Sequence, residues 1–124
     1  MRQPLRKSFR HAFDGIWDTV RDERNIKIHL IVMTLVVIFG AIYKITYTEW
    51  LICLVLFALV ISLEIVNTAI EAVVDLASPD YHPLAKRAKD CAAGAVLIAA
   101  IFAAIIGLLI FIPYILGKGR VKTL

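Results

Sequence analysis

Residues Ala92–Leu116 run for 25 positions without a charged side chain. At about 1.5 Å per helical residue, such a run crosses the ~30 Å hydrocarbon core of a bilayer with tilt to spare. Two more apolar runs precede it: Ile28–Tyr43, interrupted by His29, and Trp50–Ala77. A chain of 124 residues that is 60% hydrophobic and 19% charged cannot cover that much apolar surface in one aqueous core. An ordinary soluble enzyme, a disordered chain and a secreted disulfide scaffold are excluded on the same ground. The expected fold is all-α integral membrane, with three transmembrane helices in a single domain over residues 1–124.

The spans are expected at 26–44, 50–77 and 88–116. Lys44–Glu49 forms a tight polar connection between the first two. Ser78-Pro79-Asp80 ends the second, because Pro79 cannot continue the hydrogen-bond ladder and disfavours helix at Ser78. Tyr81–Asp90 is polar and basic, and the tail Gly117–Leu124 is polar and expected to fray. Ahead of the spans, residues 4–22 carry Leu5, Phe9, Ala12, Phe13, Ile16, Trp17 and Val20 at helical spacing on one face, with charged residues on the rest. This is the pattern of a surface helix lying in the membrane interface; a helix packed on a soluble partner is the alternative.

Charge sets the orientation. The first 27 residues hold seven Lys/Arg and no apolar core of a cleavable signal, so the first span is expected to serve as its own insertion signal. With three spans the N-terminus and the second loop share a side, which carries ten Lys/Arg against four on the other. The N-terminus is therefore expected in the cytoplasm and the C-terminus outside, with the basic residues Lys118, Arg120 and Lys122 of the tail a minor conflict. The net charge of +4 reads as topology and headgroup contact, with no nucleic-acid partner. Cys53 and Cys91 have no metal-binding spacing, lie toward opposite faces and are expected as free thiols.

The second span carries what an apolar helix ordinarily avoids. Glu64, Asn67, Glu71 and Asp75 stand at offsets 0, 3, 7 and 11, an arc of roughly 80° at about 100° per residue, with Thr68 at its edge. Counting from Trp50 as an outer-interface anchor, Glu64 lies roughly 21 Å along the axis, still within the hydrocarbon on its cytoplasmic side. Glu71 falls near the inner boundary and Asp75 among the headgroups. A carboxylate at mid-bilayer costs roughly 2.5–3.5 kcal/mol on insertion scales, and intramembrane acids tend to mark function. Mg²⁺ takes oxygen ligands, usually one or two carboxylates plus substrate phosphates. Glu71 is at the right level for that, and Glu23, ahead of the first span on the same side, can supply a second carboxylate. Arg87 and Lys89 can neutralise phosphate charge. Glu64, at the depth of a lipid hydroxyl, suits a general base. Together these parts indicate phosphoryl transfer from a cytosolic nucleotide to a lipid alcohol. The chain has neither a Walker A motif nor a kinase-type Gly-rich loop; Gly117-Lys118-Gly119 fits neither.

The block Glu64-Ile-Val-Asn67-Thr68-Ala-Ile-Glu71-Ala-Val-Val-Asp75, followed by Lys89-Asp90 and Ala92-Ala93-Gly94-Ala95-Val96, closely resembles the signature of the prokaryotic diacylglycerol kinase family. The likeness extends from Ser8–Gly15 to the third span. Glu23-Arg24-Asn25, with His29 beyond, resembles the Gram-positive branch, whose members are mainly undecaprenol kinases, whereas the Gram-negative branch phosphorylates diacylglycerol. The resemblance implies a homotrimer of three-span protomers, each with a surface helix, and active sites between protomers. It implies ATP as phosphate donor and a membrane lipid alcohol as acceptor. By position, Glu64 matches the proton acceptor and Asn67 a polar residue beside it. Glu23 and Glu71 match the carboxylates that hold Mg²⁺ on ATP. Lys89 and Asp90 match nucleotide-contacting positions, and Asp80-Tyr81-His82 a stretch near the nucleotide, with Asp80 standing where the Gram-negative branch has Glu. Asp75 is either a nucleotide contact or a structural pairing residue.

Each feature also has a plainer reading. Asn67 and Thr68 alone read as interhelical glue. Lys86, Arg87 and Lys89 read as positive-inside determinants, His29 as an interface histidine and His82 as a loop histidine. Ala92–Ala95 read as a close-packing surface, and Tyr43, Tyr47 and Trp50 as an aromatic belt. Undecaprenol is the favoured acceptor and diacylglycerol the alternative. From another class, a small proton-coupled transporter would use intramembrane acids as a relay. It would need a polar path to both sides, which the outer half of the second span and the whole third span lack. A non-catalytic adaptor is a further reading, in which Glu64→Gln leaves function intact.

Overall fold

The computed structural model describes residues 4–117. The basic tail residues Lys118, Arg120 and Lys122, and the Lys118-Gly119 pair, lie outside them. Four helices follow in order: α1 (Leu5–Asp22), α2 (Arg24–Tyr43), α3 (Tyr47–Ala77) and α4 (Pro83–Ile115). The last three are long and apolar enough to cross a membrane, and the chain is a membrane protein. α4 packs along α3 over most of its length, and α2 lies against α3 more lightly.

The helix ends have local causes. α1 stops at Glu23, whose extended backbone (φ −98°, ψ 124°) breaks the helix for one residue before α2 begins. Ile26, fully buried, anchors that corner. On α1 itself, Leu5, Phe9, Phe13 and Trp17 are all exposed. Near its end the Arg21 guanidinium, hydrogen-bonded to Asp22, holds the Asp22 carboxyl below its ordinary range. α2 ends at Lys44, which adopts the left-handed conformation (φ 54°) that caps a helix C-terminus. α3 opens with a capping box: the Glu49 N–H donates to Thr46 Oγ1 (3.2 Å) and the Thr46 N–H to Glu49 Oε1 (2.9 Å). The connection is thus shorter than the polar stretch Lys44–Glu49, and Tyr47–Glu49 already belong to the helix.

At the other end, the Leu84 N–H donates to His82 Nδ1 (3.1 Å), and Pro83 occupies the first turn of α4, where its missing N–H costs nothing. α4 therefore begins well before the expected span. Lys86, Arg87, Lys89 and Asp90 sit on its first turns, not in a loop, and the turn between α3 and α4 is only Ser78–His82. The charges of this stretch pair at helical spacing, so it needs no hydrophobic face to be helical: Lys86 Nζ reaches Asp90 Oδ2 at 2.6 Å.

The core is concentrated where α2 ends, α3 begins and α4 ends. Ile45, Cys53 and Ile110 are buried there, with Trp50, Phe57, Phe111 and Tyr114 against them. Tyr43 meets Tyr114 in a tilted arrangement, 5.9 Å between ring centres. Gly40 allows Trp50 into this cluster, since a Cβ at Gly40 would lie 2.7 Å from the indole ring. Glu49, read from sequence as a loop residue, is only 2% exposed and accepts from the Tyr114 hydroxyl at 2.6 Å. Tyr114→Phe withdraws that donor from a buried carboxyl. The expected loss is about 1–2 kcal/mol of unfolding free energy in mixed micelles, and no loss would show that solvent or lipid satisfies Glu49 equally well. Cys53 is buried and Cys91 exposed, and both are free thiols.

Candidate active site along the acidic face of α3

Away from the aromatic core the three spans part. Between them lies an open-sided cavity of about 260 Å³, lined by Asn25, Ile28 and His29 of α2, Glu64 and Asn67 of α3, and Ala93, Val96, Leu97 and Ala100 of α4. Small side chains on α4 leave the space, and the α3 stripe supplies its polar groups.

Glu64 is 3% exposed, with its carboxylate Oε1 3.3 Å from His29 Nε2. Asn67, also buried, donates from Nδ2 to Glu71 Oε1 at 3.1 Å. That bond assigns the amide orientation and leaves Asn67 Oδ1 buried with no hydrogen-bond partner among the described residues. An orphaned acceptor in a polar recess is costly unless a donor comes to it. Thr68, at the edge of the stripe, returns its hydroxyl to the Glu64 carbonyl (3.1 Å) and so plays a local backbone role. Glu71 is partly buried and Asp75 exposed, so the row runs from the dry interior to the helix end.

The sequence-derived candidates fall into three groups. Glu64, Asn67 and Glu71 form one connected row. Asp75 forms an ion pair with Lys89 of α4, one helical turn beyond, while Asp90 is paired with Lys86. The third group makes no hydrogen bond or ion pair with the row among the described residues. Glu23, at the α1–α2 break, makes no side-chain hydrogen bond or ion pair among the described residues. Ser78 Oγ donates to the Asp80 carbonyl (2.9 Å), Tyr81 is exposed and His82 caps α4.

Sequence reasoning did not bring Asn25 or His29 to the cavity. The available signal was the spacing of Asn25, Ile28 and His29, which puts them on one face of α2. The capping role of Glu49 was legible too, since Thr46-x-x-Glu49 is the capping-box pattern.

For a magnesium ion on a nucleotide, the donor chemistry fits. No group of three or more His, Cys, Asp or Glu able to enclose a bare ion occurs among the described residues. Glu71 offers a carboxylate positioned by the Asn67 amide. An ion that takes one or two carboxylates and completes its shell with phosphate and water needs no more from one protomer.

A membrane-helical protein with a buried acid above a row of acids that leads to paired surface charges has the parts of a phosphotransferase acting on a membrane-resident acceptor. The comparisons agree. Residues 10–111 match the family described as Prokaryotic diacylglycerol kinase. The undecaprenol kinase of Bacillus subtilis is 50% identical over 107 residues, covering 86% of this chain and 87% of that protein. The diacylglycerol kinase of a Synechocystis species is 39% identical over 128 residues, covering 94% and 73%. A shorter match, 57% identical over 47 residues, links it to the diacylglycerol kinase of Escherichia coli K12. The chain belongs to the prokaryotic diacylglycerol kinase family, and it is a lipid kinase that transfers phosphate to an alcohol.

Proposed function

We propose that this protein phosphorylates undecaprenol at the expense of ATP, with Glu64 as general base, Asn67 beside it, and Glu71 and Glu23 as the carboxylates that hold Mg²⁺ on the nucleotide. The observation that carries the reading is the cavity itself, where a buried carboxylate and an orphaned amide oxygen share a recess that α4 lines with apolar side chains. A lipid hydroxyl brings the donor that both acceptors lack: its single O–H can rest on Asn67 Oδ1 on entry and turn to the Glu64 carboxylate for transfer. In the transfer, the lipid O–H bond breaks and its proton goes to the Glu64 carboxylate. The freed oxygen bonds to the γ-phosphorus, and the bond from that phosphorus to the bridging oxygen breaks, so that ADP leaves with the electron pair. A loose phosphoryl transition state asks the protein mainly for positioning and charge neutralisation. Bound magnesium would supply that neutralisation at the phosphate oxygens. Lys89, Asp90 and the Asp80-Tyr81-His82 turn are assigned to nucleotide contact. Asp75 fixes Lys89 by its ion pair, a structural role that also presents the lysine to phosphate.

The apolar lining favours a prenol. Ile28, Ala93, Val96, Leu97 and Ala100 accommodate a hydrocarbon chain ending in one hydroxyl. Two ester carbonyls, as in diacylglycerol, would find few donors there. The Bacillus subtilis relative, named for undecaprenol, points the same way.

Three further assignments belong to this reading. The protomers assemble as a homotrimer, so that Glu23 of one protomer reaches the row of another; a Glu23 carboxylate with no hydrogen bond or ion pair among the described residues is available for that. α1 lies in the membrane interface, with its exposed Leu5, Phe9, Phe13 and Trp17 in lipid. The N-terminus faces the cytoplasm at the bacterial plasma membrane, by the basic excess on that side.

Purified protein given γ-labelled ATP, Mg²⁺ and equimolar undecaprenol and diacylglycerol in mixed micelles tests the function. Labelled undecaprenyl phosphate is expected to form at least about tenfold faster than phosphatidic acid, the discrimination of about 1.4 kcal/mol that one or two unpaired polar groups produce. Reversed preference would move the assignment to diacylglycerol, and label in neither lipid would remove it.

A further inference from the structure

His29 takes no part in the chemistry assigned so far, yet its ring is the group closest to the carboxylate that matters most. Nε2 stands 3.3 Å from Glu64 Oε1, with the imidazole 23% and the carboxylate 4% exposed. The approach comes from a different helix: α2 and α3 meet here, and no sequence-local geometry forces the two side chains together. Around this pair, α3 presents Glu64 and Asn67. α4 presents only Ala93, Val96, Leu97 and Ala100, and the remaining α2 residues of the cavity are Asn25 and Ile28. Glu64 is therefore the one ionisable neighbour of His29 among the lining residues described.

We propose that His29 is the positioning residue for Glu64. Its Nε2–H donates to Oε1 when the acceptor lipid is bound, which pins the carboxylate rotamer and leaves the second oxygen to take the hydroxyl proton. This deepens, and rests on, the reading of Glu64 as the base.

Three observations support it. A buried carboxylate needs a donor to hold its charge, and the Asn67 amide, whose hydrogen bond runs to Glu71, makes none to Glu64. A carboxylate on a long side chain in a cavity of about 260 Å³ has room to swing, and a misplacement of about 1 Å at a reacting group can cost a hundredfold in rate. The 3.3 Å separation is also what an unliganded site shows when its hydrogen bond tightens only in the reactive complex.

The pair of variants His29→Gln and His29→Leu separates positioning from packing. Both are made in the full chain and assayed as the wild type is, with γ-labelled ATP, Mg²⁺ and undecaprenol. His29→Leu fills the space but donates nothing. It is expected to lower kcat about tenfold to a hundredfold, with the KM for MgATP within about twofold. His29→Gln keeps an N–H donor at similar reach and is expected to recover most of the rate. A packing role predicts the opposite order, with Leu tolerated and Gln impaired; that order, or equal rates in both variants, overturns the proposal.

An independent readout needs no turnover. With ¹⁵N-labelled histidine, the His29 Nε2 resonance is expected to move in Glu64→Gln, while those of His11 and His82 stay in place. An unmoved His29 signal overturns the pairing. A wild type that phosphorylates no lipid alcohol, but still shows the shift, would count against the lipid-kinase roles and not against the pair.

Discussion

Glu64→Gln is expected to lower the turnover of phosphate transfer by about 10²–10⁴-fold, the usual contribution of a positioned general base, and to leave the apparent affinity for MgATP where it was. The physical basis is local. Gln at this position has nearly the same volume and can keep the approach to His29, so the cavity keeps its shape. What disappears is the one carboxylate among the described lining residues, the group that takes up the proton and is neutralised by it. Glu71, the next acid, lies two helical turns further toward the helix end, roughly 10 Å along the axis, and its Oε1 already accepts from Asn67. It cannot stand in. An enzyme that lost affinity for MgATP but kept its kcat would place Glu64 in nucleotide binding and leave the base unidentified. An intact rate would favour the adaptor reading.

Glu71→Gln is expected to act on the other substrate. Removing one charged ligand from a metal–nucleotide complex costs about 1.5–3 kcal/mol, a rise of about 10–100-fold in the KM for MgATP, partly reversed by excess Mg²⁺. Because the Asn67 Nδ2 donor can still find the amide oxygen of Gln, the amide orientation next to the base survives. The kcat at saturating MgATP is then expected to fall far less than in Glu64→Gln. Glu23→Gln is expected to follow the same pattern, since the assignment gives it the same ion. Titrating Mg²⁺ at fixed ATP measures both. Loss of kcat with no rescue by magnesium would take Glu71 and Glu23 out of the metal site.

Much of this was legible in the residues. Spans of hydrophobic residues longer than a bilayer is thick leave little choice of fold, and the angular arithmetic of Glu64, Asn67 and Glu71 put them on one face, which the hydrogen bond between Asn67 and Glu71 reflects. What sequence could not supply was contact between helices. His29 sits in an apolar run of α2, and nothing in that run says that α3 presents Glu64 to it. Asp75 was left between two roles, and its ion pair with Lys89 depends on how tightly α3 turns into α4. That turn was itself misjudged. The stretch Pro83–Asp90 looks like a loop by polarity, but His82 and Pro83 start a helix there and Lys86–Asp90 sustains it. Polarity reports exposure; at the end of a long transmembrane helix, exposure and helicity coexist.

Glu49 shows the same limit from the other side. Its capping pattern was visible, but its burial follows from Tyr114, distant in sequence and brought near by the antiparallel course of α4. The outer end of α3 therefore does carry a buried acid, which the transporter reading would welcome. It is nonetheless separated from Glu64 by 15 residues of α3, roughly 22 Å, and the described hydrogen bonds of Glu49 run to Thr46 and Tyr114, not toward Glu64.

The central claim is that the nucleotide's metal and the lipid hydroxyl meet along the acidic face of α3. Mn²⁺ bound to a non-hydrolysable ATP analogue reports on this directly, by paramagnetic broadening of the ¹⁵N-labelled side-chain amide of Asn67 in mixed micelles. Strong broadening of Asn67, lost in Glu71→Gln at the same nucleotide concentration, is the predicted result. A sharp Asn67 amide with saturating Mn²⁺-nucleotide, and broadening instead of the Trp50 indole at the far end of α3, would contradict it.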